Sequence, residues 1–212
     1  MWNSSLRETD SPLRIGLTGG IGSGKSIIST LFRILGIAVF EADQWAKQII
    51  SEDVRVKEEL VRLFGEAICL PDGGLNRKHL ASVIFRDPLA LQQVNGIVHP
   101  MVKAAFDNWY IRCKGPYVLM EAAILFESGF NRFMNATILV TAPEELRVAR
   151  VLKRDGISEE DVRIRMKNQF REEESAGIAD YIIRNDGMEL VIPQVLEIDK
   201  RLRVSNSPPA PL

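Results

Sequence analysis

The sequence predicts an α/β fold, a parallel sheet of short buried strands flanked by helices. Three observations carry this. Short apolar runs at 14–18, 37–40, 117–120, 136–140 and 181–183 alternate with stretches of helical periodicity. A glycine cluster, RIGLTGGIGSGKS at 14–26, joins the first run to the first helical stretch. Acidic residues close several of the runs, and ligands of open parallel sheets sit outside the carboxyl ends of the strands.

The first element reads as a strand from Arg14 to Thr18, and Ile28, Leu31, Phe32 and Leu35 then recur at helical spacing. Between them Gly19, Gly24, Lys25 and Ser26 fill the fixed positions of G-x-x-x-x-G-K-[ST]. This is the strand, loop and helix context of a phosphate-binding loop; the competing reading is a glycine-rich turn. A loop without β-carbons can turn its N–H groups around phosphate oxygens, and the helix start adds unpaired N–H groups and its positive dipole end. Gly22, Ser23, Gly24, Lys25, Ser26 and the backbone of Ile27 are therefore expected to hold the phosphates. Lys25 should reach the β and γ phosphates, and the Ser26 hydroxyl should help to hold Mg²⁺.

Gly36 stops the first helix, and the apolar run Ile37 to Phe40 predicts a central strand buried on both faces. Residues 44–113 read as almost wholly helical, interrupted by a Pro-Asp-Gly-Gly turn at 71–74, with Pro100 expected to kink or restart its helix. Such a stretch is too long for an ordinary crossover and reads as a substrate-covering insertion. Tyr117 to Met120 and Ala136 to Val140 predict two further strands. Thr141 and Glu144 have capping-box spacing before a helix beginning near Pro143. Tyr181 to Ile183 predicts the last strand, Leu190 to Leu202 an amphipathic helix, and 205–212 a disordered tail after a single domain at 13–204; residues 1–12 read as a flexible N-terminal segment.

Composition bounds the function. The 27 basic and 28 acidic residues nearly cancel, so no overall field advertises nucleic acid or an anionic membrane as partner. No apolar run approaches a membrane span, the start of the chain lacks a signal or transit pattern, and the two cysteines suit a reducing compartment; the expectation is a cytoplasmic protein.

Several side chains invite a role. Asp43 reads either as a helix N-cap or as the carboxylate that orients an attacking hydroxyl and takes its proton. Glu121 can hold Mg²⁺ or can be a solvated strand-end acid, and Glu127 lies six residues on, across the apolar segment AAILF. Arg147, Arg150 and Arg154 share a helix face; most arginines here should be solvated and paired, with Arg150 and Arg154 the favoured clamps on a transferred phosphate. His99, before Pro100, reads as a packed or capping histidine ahead of a catalytic base. The N-K-x-D and D-x-x-G patterns of GTPases and the LSGGQ-like signature of transport ATPases are absent, which leaves a small-molecule kinase.

LTGGIGSGKS, EAD at 41–43, LNRKHLASVIF at 75–85, VHP at 98–100, ILFESG at 124–129, RVLKRDGIS at 150–158 with Arg165 and Gln169, and IIRNDG at 182–187 together resemble the dephospho-CoA kinase family over nearly the whole chain. The chain departs from the family pattern at Glu41 (usually Asp), Ile27 (usually Thr), Glu121 (usually Asp) and Ala123 (usually Pro). The resemblance implies a P-loop nucleoside-triphosphate kinase fold of five parallel strands, a CoA-receiving helical region at 44–113 and a lid at 143–178. It implies ATP as phosphate donor with Mg²⁺ and the ribose 3′-hydroxyl of dephospho-CoA as acceptor. Arg77, His99 and Glu127 would join Asp43 on the acceptor side, Asn185 would lie near the adenine, and the protein would be a monomer or weak homo-oligomer.

Overall fold

The computed structural model describes residues 11–84, 86–167 and 169–204. The expected tail at 205–212 and all of the expected flexible N-terminal segment except Ser11 and Pro12 lie outside them. Pro12 is buried, and its carbonyl accepts a 2.6 Å hydrogen bond from the Tyr110 hydroxyl.

In chain order the elements are β1 (Leu13–Thr18), α1 (Lys25–Ile34), β2 (Ala38–Glu41), α2 (Ala42–Glu52), α3 (Val54–Phe64), α4 (Arg77–Ile84), α5 (Pro88–Tyr110), β3 (Tyr117–Glu121), β4 (Ala136–Thr141), α6 (Glu144–Asp155), α7 (Glu159–Lys167), α8 (Glu172–Ala176), β5 (Tyr181–Arg184) and α9 (Val191–Val204). The strands form one five-stranded sheet in the order β2-β3-β1-β4-β5, with every pairing parallel. β1 lies between β3 and β4, so the loop that follows it opens at the switch point of the sheet.

Alternation along the strands builds a core on each face. Tyr117 and Leu119 of β3 join Ile15, Leu17, Ile28, Phe32 and Ile198 in the layer under α1 and α9. Val118 and Met120 point the other way, into a layer with Phe40, Leu60, Val98, Val102, Phe106 and Leu125 that carries the helical region. A third, small cluster belongs to α6 and α7. Local chemistry sets the helix starts: Asp53 accepts from the Arg55 and Val56 N–H groups, and Asp87 caps Leu89 with Pro88 at the first position of α5.

Three expectations are corrected. β2 is an edge strand paired with β3 alone. It is apolar because Phe40 sits beneath Trp45, Phe106 and Trp109, so coverage by helices, not a central place, explains the run. Of the two outcomes expected at Pro100, the restart is not found: α5 runs as one helix to Tyr110, held by the buried stripe Ala90, Val94, Val98, Val102 and Phe106. Thr141 is the last residue of β4, with its carbonyl accepting from the Asn185 N–H at 2.8 Å, and α6 starts after Pro143 with no side-chain cap. The capping box of Thr141 and Glu144 therefore does not form.

Candidate active site

The loop between β1 and α1 is shaped by what passes against its glycines. A β-carbon on Gly19 would meet the Val140 carbonyl, one on Gly20 the Arg147 guanidinium, one on Gly22 the Arg147 backbone, and one on Gly24 the Asn185 amide. Gly24 also adopts φ 98° at the start of α1, a left-handed conformation that favours glycine. The Ser23 carbonyl accepts from Asn185 Nδ2 at 2.8 Å and from Arg150 at 3.4 Å. A trans peptide sends its N–H opposite to its carbonyl, so this anchoring turns the Gly24 N–H away from Asn185, as a phosphate cradle requires.

Lys25 begins α1, and its ammonium donates to the Gly19 carbonyl at 2.6 Å. Burial pushes its pKa down, opposed first by Asp43 and then by Glu121, with Arg154 also lowering it and Glu127 raising it. The loop lysine, three of the acids singled out in the sequence and one arginine thus share one electrostatic environment.

The acids reach it from neighbouring strands. The register places Glu41 opposite Glu121 at the ends of β2 and β3. Glu41 is the N-cap residue of α2 and pairs with Arg33. Asp43 lies inside the first turn, where its carboxylate accepts from the Ala123 N–H at 3.4 Å, so the N-cap reading of Asp43 does not hold. Burial, above all, raises the pKa of Glu121, while Lys25 and a hydrogen bond to Ser29 lower it. The Ser29 hydroxyl donates to the Ser26 carbonyl at 3.1 Å, within the first turn of α1. Among the described residues no group of three or more His, Cys, Asp or Glu side chains is gathered to hold a metal. Ser26 and Glu121 supply hard oxygen donors, a set that fits a Mg²⁺ ion completed by phosphate and water rather than an all-protein cage.

The arginines divide. Arg150, expected as a clamp, lies behind the loop and donates to the carbonyls of Gly22, Ser23 and Asn185 at 3.1–3.4 Å. Arg154 is paired with its neighbour Asp155 at 2.6 Å while still acting on Lys25. Arg165 approaches the same Asp155 at 3.6 Å. Glu127 accepts from the Phe170 N–H at 2.7 Å, so it holds the chain after α7. Asn185 is brought to the loop, whereas Arg77 and His99 make their contacts elsewhere. Arg77 is exposed and donates to the Lys47 carbonyl at 3.3 Å and to Ser51. His99 packs on Phe130, ring centroids 5.5 Å apart, with its pKa lowered by burial. Two contributors carried no assigned role in the sequence reading: Arg147, which presses on Gly20 and Gly22, and Gln169, whose side chain bridges the Ile21 N–H at 2.8 Å and the Ala123 carbonyl at 2.9 Å. Each meets the loop across more than a hundred residues of chain, beyond the reach of any local pattern.

A parallel sheet with this glycine loop at its switch point places the chain in the class of P-loop kinases. Comparison with known proteins narrows the class. The profile described as dephospho-CoA kinase matches residues 13–190, and the chain belongs to that family. The dephospho-CoA kinase of Porphyromonas gingivalis is 41% identical over 198 residues, 93% of this chain and 98% of the relative. A crystal structure of a Thermus thermophilus protein superposes with TM-score 0.81 at 35% identity, over 92% of this chain and 100% of its own. The dephospho-CoA kinase of Campylobacter jejuni shares the fold, with TM-score 0.64 at 24% identity over 90% of this chain and 96% of its own.

Proposed function

We propose that this protein transfers the γ-phosphate of ATP to the ribose 3′-hydroxyl of dephospho-CoA, giving CoA and ADP, as a cytoplasmic monomer or weak homo-oligomer. The observation that carries the reading is the family match from 13 to 190, which spans the loop, the acids and the arginine helices.

In this reading the loop backbone from Gly22 to Ile27 receives the phosphates, and Asn185, packed on Gly24, lies toward the adenine. Lys25 neutralises charge on the β and γ phosphates as the bond to the leaving ADP oxygen breaks. Asp43 orients the 3′-hydroxyl and takes its proton as the new oxygen–phosphorus bond forms. The Ser26 hydroxyl and Glu121 would hold Mg²⁺, which when bound offsets phosphate charge. Residues 143–178 act as a lid that excludes water, with Arg154 the arginine nearest in effect to Lys25 and Arg150 fixing the loop from behind. Arg77, His99 and Glu127 serve the acceptor side through the helical region 44–113 and the chain after β3.

The test is the purified protein with Mg-ATP and dephospho-CoA. ADP and CoA should appear together in equal amounts. Phosphorylation of a nucleoside or another small metabolite, with dephospho-CoA ignored, would overturn the acceptor and leave the kinase; ATP binding without transfer would overturn both.

A further inference from the structure

Ile21 is the one large apolar residue among the glycines of the loop, and phosphate binding by backbone N–H groups gives it no task. Its side chain packs into the third core cluster, with Val148, Val151 and Val162 and the half-buried Leu152, Ile157 and Met166. Those residues come from α6, from α7 and from the connection between them. The same residue is held a second time, its N–H donating to Gln169 Oε1 at 2.8 Å. Gln169 is fixed from its other end, where Nε2 donates to the Ala123 carbonyl at 2.9 Å. A third contact is steric, because the backbone of Arg147 in α6 lies so close to Gly22 that a β-carbon there would clash with it, while the Arg147 guanidinium lies against Gly20.

From these contacts we infer that Ile21 and Gln169 are positioning residues that lock the tip of the phosphate loop to the α6–α7 pair, so that loop and lid respond to a bound triphosphate as one body. The inference rests on the nucleotide reading of residues 19–26. Among the described residues the α6–α7 cluster has three buried residues of its own, so a side chain donated by the loop is a large share of its packing. Triphosphate binding fixes the loop backbone. Through Ile21 that restraint passes to α6 and α7, and so to Arg154. Rigid loop and ordered arginine are then populated together, a coupling through one packed contact rather than through distance.

The experiment compares the parent with Ile21→Ala, Gln169→Ala, the double variant and the conservative Ile21→Val. Thermal melts first establish that each is folded. Binding of a non-hydrolysable ATP analogue is measured by calorimetry, hydrogen exchange is followed through 148–166, and kcat and KM for ATP are determined. In the parent the analogue should slow exchange in α6 and α7. Ile21→Ala and Gln169→Ala should bind the analogue within about tenfold of the parent, lose most of that slowing, and drop in kcat by about tenfold or more with KM for ATP nearly unchanged. Ile21→Val should restore both, and the kcat loss of the double variant should fall short of the product of the single losses. Parent-like protection and kcat in both alanine variants would overturn the coupling, as would losses of affinity and kcat in step with lid protection retained. A parent that fails to bind the analogue would overturn the nucleotide reading and this inference with it.

Discussion

Asp43 sits in the first turn of α2 while Glu41 holds the capping position, so a substitution that keeps the shape of Asp43 has no cap to preserve. Asp43→Asn should lower kcat by about 10²–10⁴-fold with ATP affinity little changed, the range for loss of a general base. Steady-state kinetics check it, and near-parent turnover would remove Asp43 from the proton transfer. Lys25→Ala should cost about a hundredfold or more, since it removes charge stabilisation at the transferring group. The lowered pKa of Lys25 carries a further expectation. Its ammonium loses its proton below the ordinary 10.5, so the alkaline limb of kcat/KM for ATP should lie under that value. For Glu121 burial pushes the pKa up, so the folded state binds more protons than the unfolded chain between 4.5 and the raised value. Stability from this group is therefore lost as pH rises through that window, and at neutral pH the buried charge is a cost. Glu121→Gln should raise the melting temperature of the ligand-free protein and raise the Mg²⁺ concentration needed for half-maximal rate. At this scale type and spacing place the loop, since Gly24 turns into α1 and Lys25 and Ser26 begin that helix as the motif implies. A shared helix face favours Arg150 and Arg154 as clamps but does not separate the tasks of the three arginines, which differ in that Arg147 meets Gly20 and Arg150 meets the Ser23 carbonyl.

Elements were legible where a period repeats and less so where neighbours decide. All five strands fall where apolar runs stand, yet β2 reads like a central strand although it is at the edge. A four-residue strand covered by helices on both faces is apolar in either position, and pattern alone does not reveal strand order. α5 shows the converse, tertiary packing overriding a local breaker. Pro100 removes a backbone donor and crowds the carbonyl one turn earlier, that of Gly96, so the helix carries two weak residues a turn apart and persists through its buried stripe. Gly96 has no positive φ, and a β-carbon there would meet nothing within 4 Å. Gly96→Ala should therefore stabilise the protein by about 0.5–1 kcal/mol through reduced chain entropy. Urea unfolding, with the midpoint raised and the slope unchanged, is the measurement; a destabilised variant would mean that the Pro100 turn needs the freedom of glycine.

On the scale of the whole molecule, the site depends on a sheet whose two faces are served by distant parts of the chain. The helical region covers one face, while α1 and the C-terminal α9 cover the other. α9 is tied to the sheet by a polar contact inside that apolar layer. The hydroxyl of Tyr117, at the start of β3, donates to Asp199 of α9 at 2.6 Å, across 82 residues of sequence. Arg203 closes the group, bonding both oxygens of Asp199 at 2.8–2.9 Å and the Leu35 carbonyl at the end of α1 at 2.9 Å. A tyrosine in an apolar run and an aspartate in an amphipathic helix give no sequence sign that they meet. Burial, followed by the bond to Asp199, raises the tyrosine pKa, so the protonated hydroxyl favours the folded state. That stability is fully present below the ordinary value of 10 and is lost only as pH rises beyond it. Tyr117→Phe keeps the ring, including its edge contact with Phe32, and removes only the donor. Because the lost bond is to a buried carboxylate that Arg203 still contacts, the cost should be about 1.5–3 kcal/mol. Chemical denaturation gives the magnitude, and the pH series gives the signature. Parent stability should begin to fall above pH 10 more steeply than that of Tyr117→Phe, which has no hydroxyl to ionise at this position. Parallel alkaline curves for the two proteins would show that the bond between β3 and α9 contributes nothing to holding the halves of the molecule together.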